Sequence, residues 1–502
     1  MKWKQYKKVI FFHLILNIVF ALFITCSSYY NTPLKGGKDV VAYLIHLCII
    51  QSTFAGVLYI LSLSKIVFKL LFSLLFLVLG GISFWIYSID ISVSTALIHA
   101  ILTTKSYIVR DLISVEFILF LFLLAVVLFL VFKFYNKIEK RKGFQFFLPL
   151  SIGLICLFFV ADKLRLKSFS TKLPYSLFYS TIAYMGEEDI PLKKIEKSSS
   201  LFLENDITVV FILGESVRAD HLSLNGYKRN TTPKLAKRKN IVSFKNVFTN
   251  KTNTALSLPR ILTNQSISGV SQDSIISLFD MVNSRNIHTS WIGNQLLESS
   301  YKTIVNTNNE VQIIDELRSF WSFHKKEDLC LIPELKKQIN KQNNGLFSLH
   351  MIGSHWWYED RYTDEFREFI PVVDSKYIPS LTKEQMINSY DNTILYLDNF
   401  LDSIISFLDS RNTPTVMVYI SDHGEAMGED GKWLHSHYKS LTNPAMLVWY
   451  SDEFRNRYEE KINSMIERSG ESITTDIMYH SILDLFNIED HESEKSIFFC
   501  EN

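Results

Sequence analysis

Cysteine is scarce in this sequence of 502 residues, which contains only five. Cys26, Cys48 and Cys156 lie in apolar runs and are expected to be inert, so only Cys330 and Cys500 could pair. No CxxC pair and no Cys/His zinc-finger spacing occurs, which excludes a zinc-finger protein. Internal repeats and low-complexity segments are also absent, which excludes repeat architectures. The net charge of +1 favours no class of partner.

Long uncharged runs, in contrast, are concentrated before Lys163. Each approaches or exceeds the roughly 20 residues that a helix needs to cross a bilayer. A cleaved signal peptide is the alternative for the first run, but Ser27-Ser28-Tyr29-Tyr30 lacks a small-residue cleavage pattern. The sequence therefore predicts five membrane spans: Val9–Cys26, Val40–Leu63, Ile66–Tyr87, Val115–Phe132 and Phe144–Val160.

The distribution of Lys and Arg predicts the orientation of these spans. The N-terminus carries four lysines, the second short connection contains Lys65, and the connection Lys133–Gly143 holds five basic residues. Basic loops stay on the cytoplasmic side, so the N-terminus is expected inside and everything after Ala161 outside. In a bacterium with two membranes, that places the remainder of the chain in the periplasm.

Two connecting segments have a partly amphipathic pattern. Residues 88–114 show a partial helical period and are expected to pack on the membrane surface. Residues 162–205 mix basic with large apolar residues, which favours an interfacial helix and linker over a plain linker. The predicted organisation is a transmembrane domain at 1–161, this linker at 162–205, and a globular domain at 206–502.

The globular part alternates short apolar runs with helical patterns, which predicts an α/β sheet covered on both faces. The predicted strands are Ile207–Leu213, His288–Ile292, Gly345–Met351, Thr415–Ile420 and Met446–Trp449. The predicted helices follow Thr254 and cover Asp273–Arg285, Thr382–Arg411 and Ile473–Phe486.

Metal-ligand side chains follow several of these strands. Glu215 comes directly after the first strand, and Asp422 and His423 follow the fourth. His355 follows another strand, and His435 returns after a glycine-containing loop. Each residue alone is more often a loop or capping residue, but strand ends that meet at one edge favour a shared site. Carboxylate and imidazole are zinc ligands, so a zinc centre is expected.

A hydroxyl-rich segment, Thr252 to Pro259, precedes a predicted helix. Free backbone N–H groups at a helix N-terminus stabilise a phosphate, and a neighbouring zinc would activate a hydroxyl as a nucleophile. Such a segment, taken alone, is more often a plain Thr/Ser N-cap. Taken by itself, the segment leaves Thr252, Thr254 and Ser257 open as candidates.

Together, these motifs resemble those of the phosphoethanolamine transferases of the alkaline phosphatase–sulfatase superfamily. This family includes enzymes that modify lipid A or the lipopolysaccharide core and the mobile colistin-resistance enzymes. The resemblance covers nearly the whole chain. It rests on Gly-Glu-Ser-x-Arg-Ala-Asp-His at Gly214, Thr-x-Thr-Ala-x-Ser-x-Pro at Thr252, Gly-Ser-His at Gly353, and Ser-Asp-His-Gly-Glu at Ser421.

The resemblance implies a role for each matching residue. Thr254 matches the nucleophile, which also contacts zinc, and Glu215, Asp422 and His423 match the remaining zinc ligands. His355 and His435 match histidines that bind the phosphoryl group or a second zinc. Asn294 and Thr103 match positions in substrate-binding segments. The implied fold is a five-span α-helical transmembrane domain followed by an α/β alkaline-phosphatase/sulfatase-like catalytic domain.

The implied activity is transfer of phosphoethanolamine from phosphatidylethanolamine, through a zinc-activated threonine, to lipid A, lipopolysaccharide core or a glycan. The implied location is the bacterial inner membrane with a periplasmic catalytic domain, and no nucleic-acid partner is expected. Added phosphoethanolamine would weaken attraction for cationic peptides such as polymyxin. Alternatives are a phosphoglycerol transferase or phosphodiesterase on the same scaffold, and an inactive membrane scaffold or sensor.

The sequence departs from the family at three places. Asn250-Lys251 stands where Cys-Gly is usual, and most family disulfides have no counterpart. Trp356-Trp357 replaces Gly-Pro after the Ser-His motif, which is expected to reshape the acceptor site. His99 and Tyr107 replace an Asn and a Glu of the lipid donor's route.

Overall fold

The computed structural model describes residues 2–27, 37–89, 91, 93, 97–98, 101–102, 113–138, 148–163, 172–185, 192–196, 206–268, 274–314, 327–435, 439–489 and 492–500. These residues form two compact units. The first contains the described residues up to Met185 and the segment Tyr377–Ser380. The second contains the other described residues from Leu192 onward. The predicted surface segment at 88–114 lies mostly outside the described residues, as do His99, Thr103 and Tyr107.

The first unit is helical. Among the described residues, three stretches are long and apolar enough to cross a membrane: Lys7–Ser27, Lys65–Ser88 and Val115–Asn136. They coincide with the first, third and fourth predicted spans, and the second and fifth fall on α3 and α7. The helices are α1 (Lys2–Leu16), α2 (Leu22–Ser27), α3 (Gly37–Ser62), α4 (Lys65–Val67), α5 (Ser73–Ile89), α6 (Val115–Asn136), α7 (Leu148–Lys163) and α8 (Tyr175–Met185). One π-helical turn, Asn17–Ala21, joins α1 to α2, and another, Phe68–Phe72, joins α4 to α5.

A ladder of polar side chains connects α1, α2 and α3. The Gln51 amide donates to Asn17 Oδ1 over 3.2 Å, and the Thr25 hydroxyl donates to Gln51 Oε1 over 3.1 Å. The Asn17 amide donates to the His13 carbonyl oxygen. Polar groups in an apolar helix bundle need such internal partners, so the ladder satisfies these side chains where water is scarce.

The second unit is built on a seven-stranded sheet with the order β2-β10-β7-β1-β6-β4-β5. β10 is antiparallel to both neighbours, and the remaining pairs are parallel. The sheet strands are β1 (Thr208–Gly214), β2 (Ile241–Phe244), β4 (Thr289–Gly293), β5 (Glu310–Ile313), β6 (Gly345–His350), β7 (Thr415–Ser421) and β10 (Met446–Tyr450). Short ladders pair β3 (Val247–Phe248) with β11 (Ile473–Thr474) and β8 (Ala426–Met427) with β9 (Trp433–Leu434).

Helices connect these strands and cover the sheet. The long α13 begins at a capping box in which Thr382 and Gln385 exchange hydrogen bonds. The helices are α9 (Thr254–Leu262), α10 (Leu278–Ser284), α11 (Ser299–Val305), α12 (Leu331–Gln342), α13 (Lys383–Asp409), α14 (Asp452–Arg457), α15 (Glu459–Arg468) and α16 (Ile477–Leu485). All five predicted strands are present within about one residue of their predicted bounds, because each is a buried apolar run bounded by polar residues.

Every residue of β1, β6 and β7 is buried, which explains why these strands read as continuous apolar runs. In register, Leu213 of β1 lies beside His350 of β6, and Gly214 lies beside Ser421 of β7. The three strands run in the same direction, so the residues that follow them emerge at one edge of the sheet.

The buried ring of His350 makes the second unit sensitive to acid. It lies against Trp291 and Tyr301, is 0% exposed, and neither ring nitrogen receives a hydrogen bond from the described residues. Burial lowers its pKa to about 3 from 6.5. The unfolded chain therefore binds the proton first, and stability is lost as the pH falls below 6.5 toward 3, by up to about 1.4 kcal/mol per pH unit.

We expect a His350→Phe variant to lose this part of the acid sensitivity. Thermal unfolding of the full chain in detergent at pH 7.5 and pH 5 measures it. The stability advantage of the variant over the wild type should grow by up to about 2 kcal/mol between the two pH values. Since all other titrating groups are shared, an advantage of equal size at both pH values would mean that His350 is not the source.

Candidate metal centre and nucleophile

Four side chains that were predicted to form a site come from the edge where the central strands end. Glu215 follows β1 and is 1% exposed. Asp422 and His423 follow β7 and are fully buried. Thr254 is the first residue of α9. Position at the carboxyl edge of a largely parallel sheet is typical of the catalytic sites of α/β proteins.

These side chains are within contact distance of one another. The Thr254 hydroxyl donates to Glu215 Oε2 over 2.7 Å. His423 Nε2 lies 3.4 Å from Glu215 Oε1 and 3.3 Å from Asp422 Oδ2, and His435 Nε2 lies 4.0 Å from Glu215 Oε1. One ligand atom from each of Glu215, His423 and His435 falls in a group whose members all lie within 4.8 Å.

The hydrogen bonds around His423 show which of its nitrogens is available. Nδ1 lies 2.7 Å from the carbonyl oxygen of Gly424, which can only accept, so Nδ1 carries the proton. Nε2 therefore faces the two carboxylates. His423 Nε2 and Asp422 Oδ2 are both buried without a hydrogen-bond partner among the described residues. A histidine whose Nδ1–H donates to a backbone carbonyl while Nε2 points into a carboxylate cluster has the orientation of a metal ligand.

The electrostatics of this cluster also fit a cation. Burial raises the pKa of Glu215, and the neighbouring Asp422 carboxylate raises it further. Burial opposes the charged form of His423, but the Asp422 and Glu215 carboxylates outweigh it and raise its pKa. Several buried acceptors thus face one another without enough donors, which is costly unless a positive charge lies among them. The residues present therefore fit a zinc ion with oxygen and nitrogen ligands.

Gly353 brings the segment after β6 against this cluster. Its φ is +53°, and a Cβ at this position would lie 2.7 Å from the Glu215 carbonyl oxygen. The next residue, Ser354, donates its N–H to the same carbonyl over 3.0 Å. His355 follows, and its ring lies 5.7 Å from that of His435, which lies 4.8 Å from that of His423. Because the backbone of Gly353 passes so close to that of Glu215, the imidazole of His355 lies near those of His435 and His423.

Hydrogen bonds hold the segment that carries Thr254. Asn253 Oδ1 accepts from the backbone N–H of Leu256 and caps α9. The Ser257 hydroxyl is fully buried and donates to the Lys251 carbonyl over 2.9 Å. The Asn250 amide donates to the Ile267 carbonyl over 2.8 Å. Of the three hydroxyl candidates, Thr254 is the one whose side chain reaches the Glu215 carboxylate.

Residues 207–488, more than half of the chain, match the sulfatase family. The chain belongs to the sulfatase family. The described part of this family region contains the whole sheet of the second unit and every described residue of the candidate site.

Individual proteins that are similar to this chain give a more specific comparison than the family does. Phosphoethanolamine transferase EptA of Escherichia coli K12 is 31% identical over 314 residues, which cover 60% of this chain and 55% of that protein. The chain thus spans about half the length of that relative. The family resemblance read from the motifs is confirmed by this similarity.

Solved structures extend the likeness of fold. An integral membrane lipooligosaccharide phosphoethanolamine transferase A (EptA) from Neisseria meningitidis covers 98% of both chains with a TM-score of 0.78 and 22% identity. The C-terminal periplasmic domain of EcEptC from Escherichia coli, solved as a complex with Zn, covers 62% of this chain and 92% of its own, with a TM-score of 0.52 and 22% identity. The helical region and the sulfatase-like α/β domain therefore have counterparts of known structure.

Asn294 lies outside the group of ligand atoms in this sulfatase-family site. It is 2% exposed, and its amide donates to Asp328 Oδ1 over 2.8 Å. Asp328 also accepts from the backbone N–H groups of Ile352 and Gly353, both over 2.9 Å. The structure thus connects Asn294 to the glycine segment that crosses Glu215, and its predicted contact with substrate stays a prediction.

Sequence reasoning did not identify Tyr390. Its hydroxyl donates to the Ser216 carbonyl over 2.7 Å and accepts from the Arg218 N–H over 2.9 Å. Ser216 has a φ of 60°, and its N–H donates to Asp422 Oδ1. Tyr390 therefore holds the strained turn that presents Glu215. The available signal was a tyrosine beside Asp391 in the predicted helix, where apolar residues are expected.

None of the five cysteines, all of which lie among the described residues, forms a disulfide in the structure, including Cys330 and Cys500. We therefore expect dithiothreitol to leave the melting temperature of the full chain unchanged, whereas loss of a structural disulfide typically costs about 2–5 kcal/mol. Alkylation under denaturing, non-reducing conditions should label five thiols per chain, as counted by intact mass. A count of three would reveal a disulfide and contradict this expectation.

Proposed function

We propose that this chain is a membrane-anchored phosphoethanolamine transferase that moves phosphoethanolamine from phosphatidylethanolamine to a cell-envelope acceptor, namely lipid A, lipopolysaccharide core or a glycan. The observation that carries the proposal is the 2.7 Å hydrogen bond from the Thr254 hydroxyl to Glu215 Oε2, within a cluster of buried carboxylates and imidazoles. The similarity to phosphoethanolamine transferases supports the same substrate class.

The proposed anchor is a transmembrane domain of five spans at 1–161, followed by an interfacial linker at 162–205 and a catalytic domain at 206–502. Three stretches that can cross a membrane support the anchor, and the helices α3 and α7 occupy the two remaining predicted spans. The basic residues before Val9, at Lys65 and after Lys133 favour a cytoplasmic N-terminus. In a bacterial inner membrane, the catalytic domain would then lie in the periplasm.

Glu215, Thr254, Asp422 and His423 would hold one zinc ion, and His355 and His435 would bind the phosphoryl group or a second zinc. When bound, zinc lowers the pKa of a neighbouring hydroxyl and neutralises charge on phosphoryl oxygens. The fit rests on the buried Asp422 Oδ2 and His423 Nε2, for which the described residues provide no partner.

The reaction proposed for the chain's own residues has two displacements at phosphorus. In the first, Thr254 Oγ1 forms a bond to phosphorus and its proton passes along the existing hydrogen bond to Glu215, while the bond to the diacylglycerol oxygen breaks and that oxygen takes a proton from His355. In the second, an acceptor hydroxyl oxygen forms the bond to phosphorus and gives its proton to His355, while Thr254 Oγ1 leaves and takes its proton back from Glu215. His435, whose ring lies 5.7 Å from that of His355, would position phosphoryl oxygens.

The segment around Thr254 would position the Thr254 hydroxyl. Because Thr254 opens α9, the positive end of the helix dipole lies beside its hydroxyl, where it favours a negatively charged phosphate. The hydrogen bonds of Asn250, Asn253 and Ser257 hold this segment. Asn250 stands where the family usually has a cysteine, so these hydrogen bonds would hold the segment without a covalent link.

Donor and acceptor assays with the full chain in detergent test the proposal. Headgroup-labelled phosphatidylethanolamine should release diacylglycerol and transfer label to lipid A, core oligosaccharide or an envelope glycan, as shown by mass spectrometry. Phosphatidylglycerol tested in parallel should give no transfer. Release of diacylglycerol from phosphatidylglycerol alone would replace the proposal by a phosphoglycerol transferase, and hydrolysis without transfer would replace it by a phosphodiesterase.

A further inference from the structure

The first unit contains a groove that the proposed chemistry does not use. It has a volume of about 530 Å³ and lies between the helical stretch from Val9 to Leu22, the second half of α3, and the start of α7. Every described residue that lines it belongs to the first unit. The part from Val9 to Leu22 belongs to Lys7–Ser27, which is long and apolar enough to cross a membrane, so this side of the groove faces lipid when that stretch spans a bilayer.

Small residues form the deep side of this groove. Gly56 and Ser151 are buried, and a Cβ on Gly56 would lie 3.0 Å from the Ser151 carbonyl oxygen. Such close approach is typical of membrane helices that pack through small residues. Ala55 also lines the groove and carries only a methyl group. A depression therefore runs along the line where α3 meets α7.

The opposite side consists of branched apolar side chains directed outward. Ile10, Leu14 and Ile18 are 45%, 53% and 57% exposed, and Leu150 of α7 is 61% exposed. The polar side chains among the lining residues are His13, Asn17, Gln51, Tyr59 and Ser151. The Gln51 amide donates to Asn17 Oδ1, and the Ser62 hydroxyl lies 3.1 Å from His13 Nε2. The groove therefore offers a mostly apolar surface to its occupant.

The length of the groove suits an extended hydrocarbon chain. Val9 to Leu22 spans about 20 Å at the helical rise of 1.5 Å per residue. One leaflet contributes about half of the roughly 30 Å hydrocarbon core, or about 15 Å, so this stretch is long enough to lie beside a whole acyl chain.

Basic residues surround the end of the groove at Val9. Lys7 and Lys8 are exposed immediately before it. The same bundle end carries Lys133, near the end of α6, because the Phe12 ring of α1 lies 5.6 Å from the Tyr135 ring of α6. Juxtamembrane lysines of this kind attract anionic lipid headgroups. The positive charge at this end of the groove and the apolar surface along its length together favour a lipid with an anionic headgroup as the occupant.

We propose that this groove binds an anionic phospholipid of the phosphatidylglycerol class, with an acyl chain along Val9–Leu22 and its headgroup at Lys7 and Lys8. The site goes beyond the proposed transfer reaction, because the donor of that reaction is zwitterionic and, among the described residues, none from the second unit lines the groove. The lipid fills a depression that the helices themselves leave open and so stabilises the contact between α3 and α7.

Native mass spectrometry of the full chain, delipidated in detergent, tests this with 1-palmitoyl-2-oleoyl phosphatidylglycerol and the matching phosphatidylethanolamine. We expect phosphatidylglycerol to bind at least tenfold more tightly and to raise the melting temperature more. An Ala55→Leu variant fills the groove and should weaken phosphatidylglycerol binding at least tenfold. The matched control is Ala125→Leu, at an exposed site on α6, which should bind like the wild type.

The headgroup contact is tested by a Lys7→Gln/Lys8→Gln double variant, which should bind both lipids with similar affinity. The control pair Lys336→Gln/Lys337→Gln removes two exposed lysines from α12 and should keep the preference. Equal binding of both lipids by the wild type, or wild-type binding by Ala55→Leu, would overturn the proposal.

Photocrosslinking on the wild-type chain gives an answer even where a variant fails to fold. Phosphatidylglycerol with a diazirine on its acyl chain should label peptides from Val9–Leu22 and from the second half of α3. Labelling spread evenly over the exposed face of α6 instead would mean surrounding bilayer lipid only, and the proposal would fail.

Discussion

A Thr254→Ala variant is expected to lose transfer by a factor on the order of 10⁴ to 10⁶, the loss typical of removing a covalent nucleophile. The variant lacks the oxygen that forms the bond to phosphorus, while the Glu215, Asp422 and His423 side chains stay in place. Full-length protein incubated with headgroup-labelled phosphatidylethanolamine and quenched in acid measures both steps. The wild type should carry label on the peptide containing Thr254, and the variant should carry none.

Thr254→Ser is the matched control, because it keeps the hydroxyl and removes only a methyl group. It should form the labelled intermediate and retain measurable transfer. Ser257→Ala is a second control, since the Ser257 hydroxyl donates to the Lys251 carbonyl and does not reach the carboxylate. Transfer by Thr254→Ala at a rate near that of the wild type would rule out Thr254 as the nucleophile.

Glu215→Ala is expected to abolish both zinc binding and transfer while leaving the membrane anchor intact. Loss of a residue that only hydrogen-bonds to a metal ligand costs roughly 10–100-fold in affinity, so loss of a ligand should cost more. Metal content of the purified full chain and competition with a chelator measure the effect. Helix content by circular dichroism should stay at the wild-type value.

The Glu215→Gln variant tests the contribution of the negative charge of Glu215 separately from that of its size and shape. It removes the negative charge but keeps the size of the side chain and an oxygen that can accept from Thr254. Because Glu215 and Asp422 are buried beside each other, the metal-free variant should melt no lower than the metal-free wild type. With zinc present, the wild type should have the higher melting temperature. Equal zinc affinity of Glu215→Gln and wild type would exclude Glu215 as a ligand.

Much of the second unit could be predicted because its central strands are buried on both faces. The run Val209 to Leu213 contains only large apolar residues, and β1 is 0% exposed throughout that run. β2 and β5 were not predicted. β5, Glu310–Ile313, is a four-residue edge strand that is only partly buried, so its pattern is too short and mixed to distinguish from a loop.

The distance between Thr254 and Glu215 could not be obtained from local pattern. Chemistry alone left three hydroxyl residues open, and family resemblance selected Thr254. The structure brings that hydroxyl to Glu215 across 39 positions of sequence. Residues that hold the site in place were even harder to predict from the sequence. Asp391, fully buried in α13, accepts from Tyr227 and Arg229 and lies 2.7 Å from His221 Nδ1. These contacts organise the motif after β1, and no local spacing reveals them.

The strand order has a consequence for how the protein matures. β1 comes first along the chain, yet it is the centre of the sheet and pairs with β6 and β7. The Ser216 N–H and its acceptor Asp422 are 206 positions apart. Such long-range pairing is slow and cannot form on a partly synthesised chain. Nearly the entire polypeptide must therefore be present before Glu215, Asp422 and His423 come together, so a metal ion could bind at this cluster only late in folding.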